Sequence, residues 1–203
     1  ISEITCDASG VPVARRAGYD ETRWTYNEKN KATKIEYMLQ GQPVKNSAGV
    51  AITERTYDEN GWVASESYYG PEGEPIFNSD TKCYRVEKVN LDGDHATNET
   101  WFDENGQPMK TGDTYVQVKR EFDEKKNKIS EITCDAFGAP VARRSGYDET
   151  RWTYNEKNKV IKIEYLLQGQ PVKNSAGVAI TERTYDENGW IASESYYGPE
   201  GDS

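Results

Sequence analysis

The side chains able to do chemistry in this 203-residue chain are a single histidine, 35 carboxylates, 3 cysteines and the rings of 5 Trp and 14 Tyr. A catalytic dyad needs a fixed nucleophile and an orienting group beside its imidazole. The surroundings of His95 offer neither, so it reads as an exposed histidine without a role. Paired-acid hydrolysis needs two carboxyls in unlike environments at a fixed spacing. Here Asp58, Glu59, Asp103, Glu104, Asp186 and Glu187 fall in turns and recur along the chain, as solvated turn residues do. Cys6, Cys83 and Cys134 are an odd set without a CxxC spacing, which argues against a disulfide framework or a zinc site. Neither the EF-hand loop nor the Gly-Gly-x-Gly-x-Asp calcium pattern is present. The expectation is a protein that is not an enzyme, with no cofactor and no metal.

The aromatic residues remain. Trp62, Tyr68, Tyr69, Trp101, Phe102, Trp190, Tyr196 and Tyr197 lie at or near the ends of expected hairpins. Rings that meet across adjacent hairpins form a cage for a cation or a platform for a sugar. The competing role is structural. Leu, Ile, Val and Phe together make up less than a fifth of the chain and the mean hydropathy is -0.94, so the rings, each burying about 150–250 Å², are needed for a core. A net charge of -10 disfavours nucleic acid and anionic membrane surfaces as partners. No run of about 20 apolar residues exists to insert into a bilayer.

The elements that position these residues are repeats. Residues 1–75 recur as 129–203 and differ at nine positions: Ser9/Phe137, Val11/Ala139, Ala17/Ser145, Ala32/Val160, Thr33/Ile161, Met38/Leu166, Val63/Ile191, Glu74/Asp202 and Pro75/Ser203. Within that 128-residue period lies a shorter one. Prolines in Gly-x-Pro recur at Pro12, Pro43, Pro75, Pro108, Pro140 and Pro171, at spacings of 31, 32, 33, 32 and 31 residues. Each unit carries an Asx-led turn after a large residue, as in Tyr26-Asn27, Tyr57-Asp58, Leu91-Asp92, Phe122-Asp123, Tyr154-Asn155 and Tyr185-Asp186. Asp92-Gly93 reads as a shorter, two-residue loop. The following strand ends in a pair such as Tyr68-Tyr69 or Trp101-Phe102, and Thr5-Cys6 and Thr133-Cys134 fill the same place, which makes both cysteines core filler. No segment holds a helical period.

The predicted fold is all-β: tandem β-hairpin repeats of about 31–34 residues forming one continuous array over 1–203. Two arrangements stay open, an elongated β-solenoid or a single curled antiparallel sheet. The solenoid is favoured, because the polar stretch after each proline gives room to step along an axis. Ile1 falls inside a repeat, so the sequence reads as part of a longer chain.

Gly61-Trp62-Val63 followed by Tyr68-Tyr69 and Gly73, and Trp101–Gly106 followed by Met109-Lys110-Thr111-Gly112, resemble the cell-wall-binding, choline-binding type repeats of Gram-positive surface proteins. That resemblance implies a hairpin solenoid whose inter-hairpin rings hold choline or glucan, and it nominates the eight rings named above. The family's unit is shorter and richer in Trp, and Thr5-Cys6 and Thr133-Cys134 depart from its cage wall. Tyr57-Asp58-Glu59-Asn60-Gly61 and its equivalents resemble the YD repeats of Rhs-type shells. The reading that follows is a non-catalytic repeat module of a bacterial surface or secreted protein, binding a cell-wall polymer or glycan at several equivalent faces. The alternative is a structural stalk, a module associating end to end through exposed strand edges, or part of a YD-type shell.

Overall fold

The computed structural model describes residues 1–201; Asp202 and Ser203, and with them two of the nine exchanges, lie outside the described residues. The described chain is all-β. Its strands are β1 (Ser2–Ile4), β2 (Glu21–Tyr26), β3 (Ala32–Leu39), β4 (Gln42–Pro43), β5 (Ile52–Tyr57), β6 (Val63–Tyr69), β7 (Arg85–Asn90), β8 (Ala96–Phe102), β9 (Gln117–Phe122), β10 (Lys128–Cys134), β11 (Glu149–Tyr154), β12 (Val160–Leu167), β13 (Gln170–Pro171), β14 (Ile180–Tyr185) and β15 (Ile191–Tyr197). Short runs in which Thr, Ile, Val, Tyr and Trp alternate with charged residues suit a pleated, half-buried surface.

Antiparallel pairing joins the strands in chain order into one ladder from β1 to β15, with β4 and β13 folding back on β3 and β12. Of the two arrangements that the sequence leaves open, the sheet is therefore the one found, in place of the favoured solenoid. Each hairpin adds to the edge of the one before it through main-chain hydrogen bonds. Contacts group Ile1–Asp94 with Thr100–Thr111 as one compact unit, and His95–Glu99 with the chain from Gly112 onward as a second.

Three local rules build the hairpins. At five of the tips an Asp or Asn accepts two backbone N–H groups. Asp58 Oδ1 takes Asn60 N at 3.0 Å and Trp62 N at 2.9 Å, and Asn27, Asp123, Asn155 and Asp186 repeat the arrangement, which Asp103 and Asp135 also make in turns at the hairpin bases. The turn's fourth residue takes a left-handed φ, supplied by Gly61 (φ 81), by Asn30 and Asn158, and by Lys126 where neither Gly nor Asn is available. Next to the tip the register shifts, as between Thr56↔Ser65 and Tyr57↔Val63. At the base each marker proline bridges the end of the outgoing run: Pro12 to Cys6, Pro43 to Met38, Pro75 to Tyr69, Pro108 to Phe102, Pro140 to Cys134 and Pro171 to Leu166.

The polar stretch after the proline is not a spacer but another Asx turn. Asn46 Oδ1 accepts Ala48 N and Val50 N, and Asn174 does the same for Ala176 and Val178. The short loop at Asp92-Gly93 also differs from expectation. Asp92 caps it through Asp94 N, but Gly93 is not among the residues with a left-handed φ, which a two-residue type I′ loop requires. Gly93 is small for another reason: a Cβ there would lie 2.7 Å from Trp62 Cζ3.

Burial is concentrated at the hairpin bases. Along β2, β5 and β11 the first two residues are buried and the tip residues half-buried or exposed. In the first unit Ala48, Val50, Tyr68, Cys83 and Val86 form the core, with Ile76, Trp101 and Met109 packed against it. In the second unit Val116, Val118, Cys134, Leu166 and Ala179 are buried. Tips are held by a different contact. The hydroxyl of the tyrosine before the turn donates to the start of the preceding outgoing strand, Tyr57 to Ala32 O at 2.7 Å, Tyr154 to Lys128 O at 2.9 Å and Tyr185 to Val160 O at 2.7 Å.

Candidate functional site

The eight nominated rings divide by environment. In the first unit all but Trp62 are buried or half-buried in packing. Tyr68, in the middle of the hairpin-base core, is 3% exposed, and its hydroxyl lies 3.3 Å from Glu66 Oε2. Burial and the neighbouring Glu66 carboxylate both raise its phenol pKa. Trp101 packs against the same core. Phe102 is buried with the Arg85 guanidinium 4.3 Å above its ring. Trp62 covers Gly93, and Tyr69 is half-buried beside its Pro75 bridge. In the second unit Trp190 is 74% and Tyr196 54% exposed, with Tyr197 half-buried. Tyr196 donates its hydroxyl to Glu194 Oε2 at 2.7 Å.

Each unit also carries an open cleft. One in the first, about 200 Å³, is lined by Tyr69, Tyr84, Arg85, Asp103 and Glu104 among others, and another there, about 410 Å³, by Lys34, Glu54 and Arg55 among others. A hydrogen bond to Glu104 raises the Tyr84 phenol. That of the second, about 440 Å³, lies between two tip turns and is lined by Asn155, Lys157, Lys159, Arg183, Tyr185 and Asp186 among others. Arg183 there is engaged by Glu194 at 2.7 Å, and the Tyr185 hydroxyl by Val160 O. The second cleft therefore brings the Lys157 and Lys159 ammonium groups beside the apolar side chain of Ile161. Among the described residues no group of three or more His, Cys, Asp or Glu is placed to hold a metal ion.

The strongest electrostatic feature was not legible in the sequence. In the second unit Glu131 receives Arg120 at 2.9 Å, Lys128 at 3.0 Å and Arg143 at 2.8 Å, and Arg120 also reaches Glu99 at 2.8 Å. Burial opposes ionisation of Glu131, but hydrogen bonds from Arg143, Lys128 and Arg120 outweigh it and lower its pKa to about 2. Arg143 lies 5.7 Å from the Tyr115 ring centre and 5.2 Å from that of Tyr147. The i+11 spacing of Arg120 and Glu131 does carry a signal, since it recurs as Arg55–Glu66 and Arg183–Glu194, each closing across one hairpin.

The remaining candidates resolve locally. Cys134 is buried and its thiol pKa raised by burial, whereas Cys6, expected to share its role as core filler, is exposed. Cys83 fills the first unit's core. His95 is half-buried rather than exposed, its ring edge-on to Phe122 at 4.9 Å. The turn acids have a structural task, shown by Asp58, Asp103 and Asp186 as acceptors of backbone N–H groups.

A model of the MORN repeat variant family matches residues 52–69 and 180–197, the β5–β6 hairpin and its copy β14–β15. Among solved structures the chain is similar to one in the Tc holotoxin pore of Photorhabdus luminescens, in a TccC3 mutant form, with a TM-score of 0.53 and 14% identity. It is also similar to a chain in the TcdB2-TccC3-TEV crystal structure, with a TM-score of 0.52 and 16% identity. Each similarity covers 99% of this chain and 9% of the other, and at these identities it is a likeness of fold. No curated protein matches the chain by sequence.

Proposed function

We propose that this chain is a non-catalytic structural segment, a stretch of wall in a YD-type shell of a secreted bacterial protein. The observation that carries the reading is the ladder: hairpins of one pattern add edge to edge in chain order, so the sheet lengthens by repetition without a change of local rule. The chains similar in fold belong to a Tc holotoxin pore and a TcdB2-TccC3 assembly, and this chain spans 9% of their length. The resemblance of Tyr57–Gly61 to YD repeats agrees with that likeness.

Electron microscopy of the natural protein that contains these residues tests the reading. A hollow particle whose wall includes them, with an interior segment protected from added protease, is the expected result. An extended rod without a lumen would overturn it.

A second reading, multivalent binding of a cell-wall polymer or glycan, has one observation in its favour: the exposure of Trp190 and Tyr196. Aromatic faces open to solvent serve as sugar or cation platforms. Titration with choline, glucans and cell-wall fragments, followed by tryptophan emission, distinguishes it. Saturable quenching lost in Trp190→Ala supports that reading, and an unmoved spectrum removes it.

A further inference from the structure

We propose that the outer edge of β15, with the patch formed by Ala176, Val178, Trp190, Ile191 and Tyr196, is a docking site for a β-hairpin of the same repeat, one carrying the Cys83–Phe102 pattern. The inference does not rest on the shell reading. It rests on the chain containing the same edge twice, once covered and once open. Ile52–Tyr69 and Ile180–Tyr197 differ only at Val63/Ile191, so whatever β6 recognises, β15 presents in nearly the same chemistry.

The first unit shows what covers that edge. β7 pairs with β6 antiparallel, with Ser65↔Glu87, Glu66↔Val86 and Ser67↔Arg85 in register. The ladder continues at the base, where Tyr68 N donates to Tyr84 O at 3.0 Å. Side chains fix the register at the tip. The Asn90 carboxamide donates to Val63 O at 2.9 Å and to Asp58 Oδ2 at 3.3 Å, and Gly93 leaves room for the Trp62 ring. Val86 and Cys83 fill the space beside Tyr68, Val50 and Ala48.

Every receiving group has its equivalent on the second unit: Asp186 and Ile191 O for the carboxamide, Trp190 for the glycine, Tyr196, Val178 and Ala176 for the apolar contacts. The second set is the more exposed. Tyr196 is 54% exposed against 3% for Tyr68, and Trp190 74% against 36% for Trp62. An uncovered strand edge beside an apolar patch binds by adding a strand, main-chain bonds giving affinity and side-chain pockets giving register. The occupant is thereby specified: an extended strand with a small apolar residue and then Val at the base, Asn at its tip end and an Asx-Gly turn after it.

The test adds a cyclic peptide of residues Cys83–Phe102 to the full chain. Its ends are neighbours in the fold, since Tyr84 N donates to Phe102 O at 3.0 Å, and closure pre-orders a hairpin that is marginal alone. The expected result is saturable binding by calorimetry with at least about tenfold slower amide exchange over Ile191–Tyr197. A peptide carrying Asn90→Ala and Gly93→Val is expected to bind at least about tenfold more weakly, as is the parent peptide to the Trp190→Ala chain. No binding by the parent peptide, or equal binding by the two peptides, would overturn the proposal. Dimerisation of the chain alone with β15 protected would assign the edge to a second copy and overturn it as well.

Discussion

The hairpins Ile52–Tyr69 and Ile180–Tyr197 are nearly the same sequence in two environments. Their internal structure agrees. Both carry the Asx cap, both close with an Arg–Glu pair at 2.7 Å, and both shift register before the tip. What differs is the outer face, covered by β7 in one case and open in the other. A ring in this fold is thus core or surface according to the hairpin that follows it, and its own sequence does not decide.

Breaking the covered hairpin should cost far more than breaking the open one. Tyr68→Ala removes a ring from the core and is expected to destabilise by about 3 kcal/mol, against under about 1 kcal/mol for Tyr196→Ala. Urea denaturation of the two variants, each followed by a probe in its own unit, measures the difference.

A second pair sharpens the point electrostatically. Glu3 and Glu131 occupy the same repeat position. Glu3 is largely exposed and pairs with Arg15, while Glu131 holds three cations with a side chain only 14% exposed. With its folded pKa held at about 2, Glu131 contributes stability that is complete above the ordinary carboxylate range and is lost as pH falls from about 4.5 towards 2. That contribution is on the order of 3–4 kcal/mol at neutral pH, at about 1.4 kcal/mol per pKa unit. Glu131→Gln is expected to remove it and flatten the acid limb of the stability curve. Chemical denaturation between pH 2 and 7 reads both.

Smaller effects follow at the lid over Trp62. Gly93→Ala places a Cβ 2.7 Å from the ring and is expected to cost about 1–2 kcal/mol through overpacking, with a red shift of Trp62 emission as the ring is displaced. At the tips, Asp58→Ala is expected to cost about 1 kcal/mol and Asp186→Ala less, because Asp58 also receives Asn90 of the covering strand. Thermal melts order the pair.

The sequence carried much of this architecture. Asx residues, glycine and the left-handed Asn30 and Asn158 marked the turns because an Asx side chain accepts the turn's N–H groups and Gly or Asn readily takes a left-handed φ. Gly-x-Pro marked a real register point, the bridge at the hairpin base. Sheet and solenoid were indistinguishable because both use the same hairpins and differ only in which edges pair. Which rings are covered was not legible for the same reason. Residues Trp62 and Trp190 have identical neighbours in sequence up to Val63/Ile191, yet Trp62 is 36% and Trp190 74% exposed, and the residue that Trp62 meets, Gly93, lies some thirty positions away in sequence. Cys6 and Cys134 repeat the lesson, exposed and buried in the same motif. The Glu131 cluster assembles from β8, β9, β10 and the Arg143 turn, a convergence that no local spacing announces.

The most direct measurement is the exchange of two equivalent amides. Tyr68 N donates to Tyr84 O on the covering strand, and Tyr196 N is its counterpart on β15. If each hairpin is completed by its successor, Tyr68 N should exchange at least about 100-fold more slowly than Tyr196 N in the same sample. Equal rates would contradict the account.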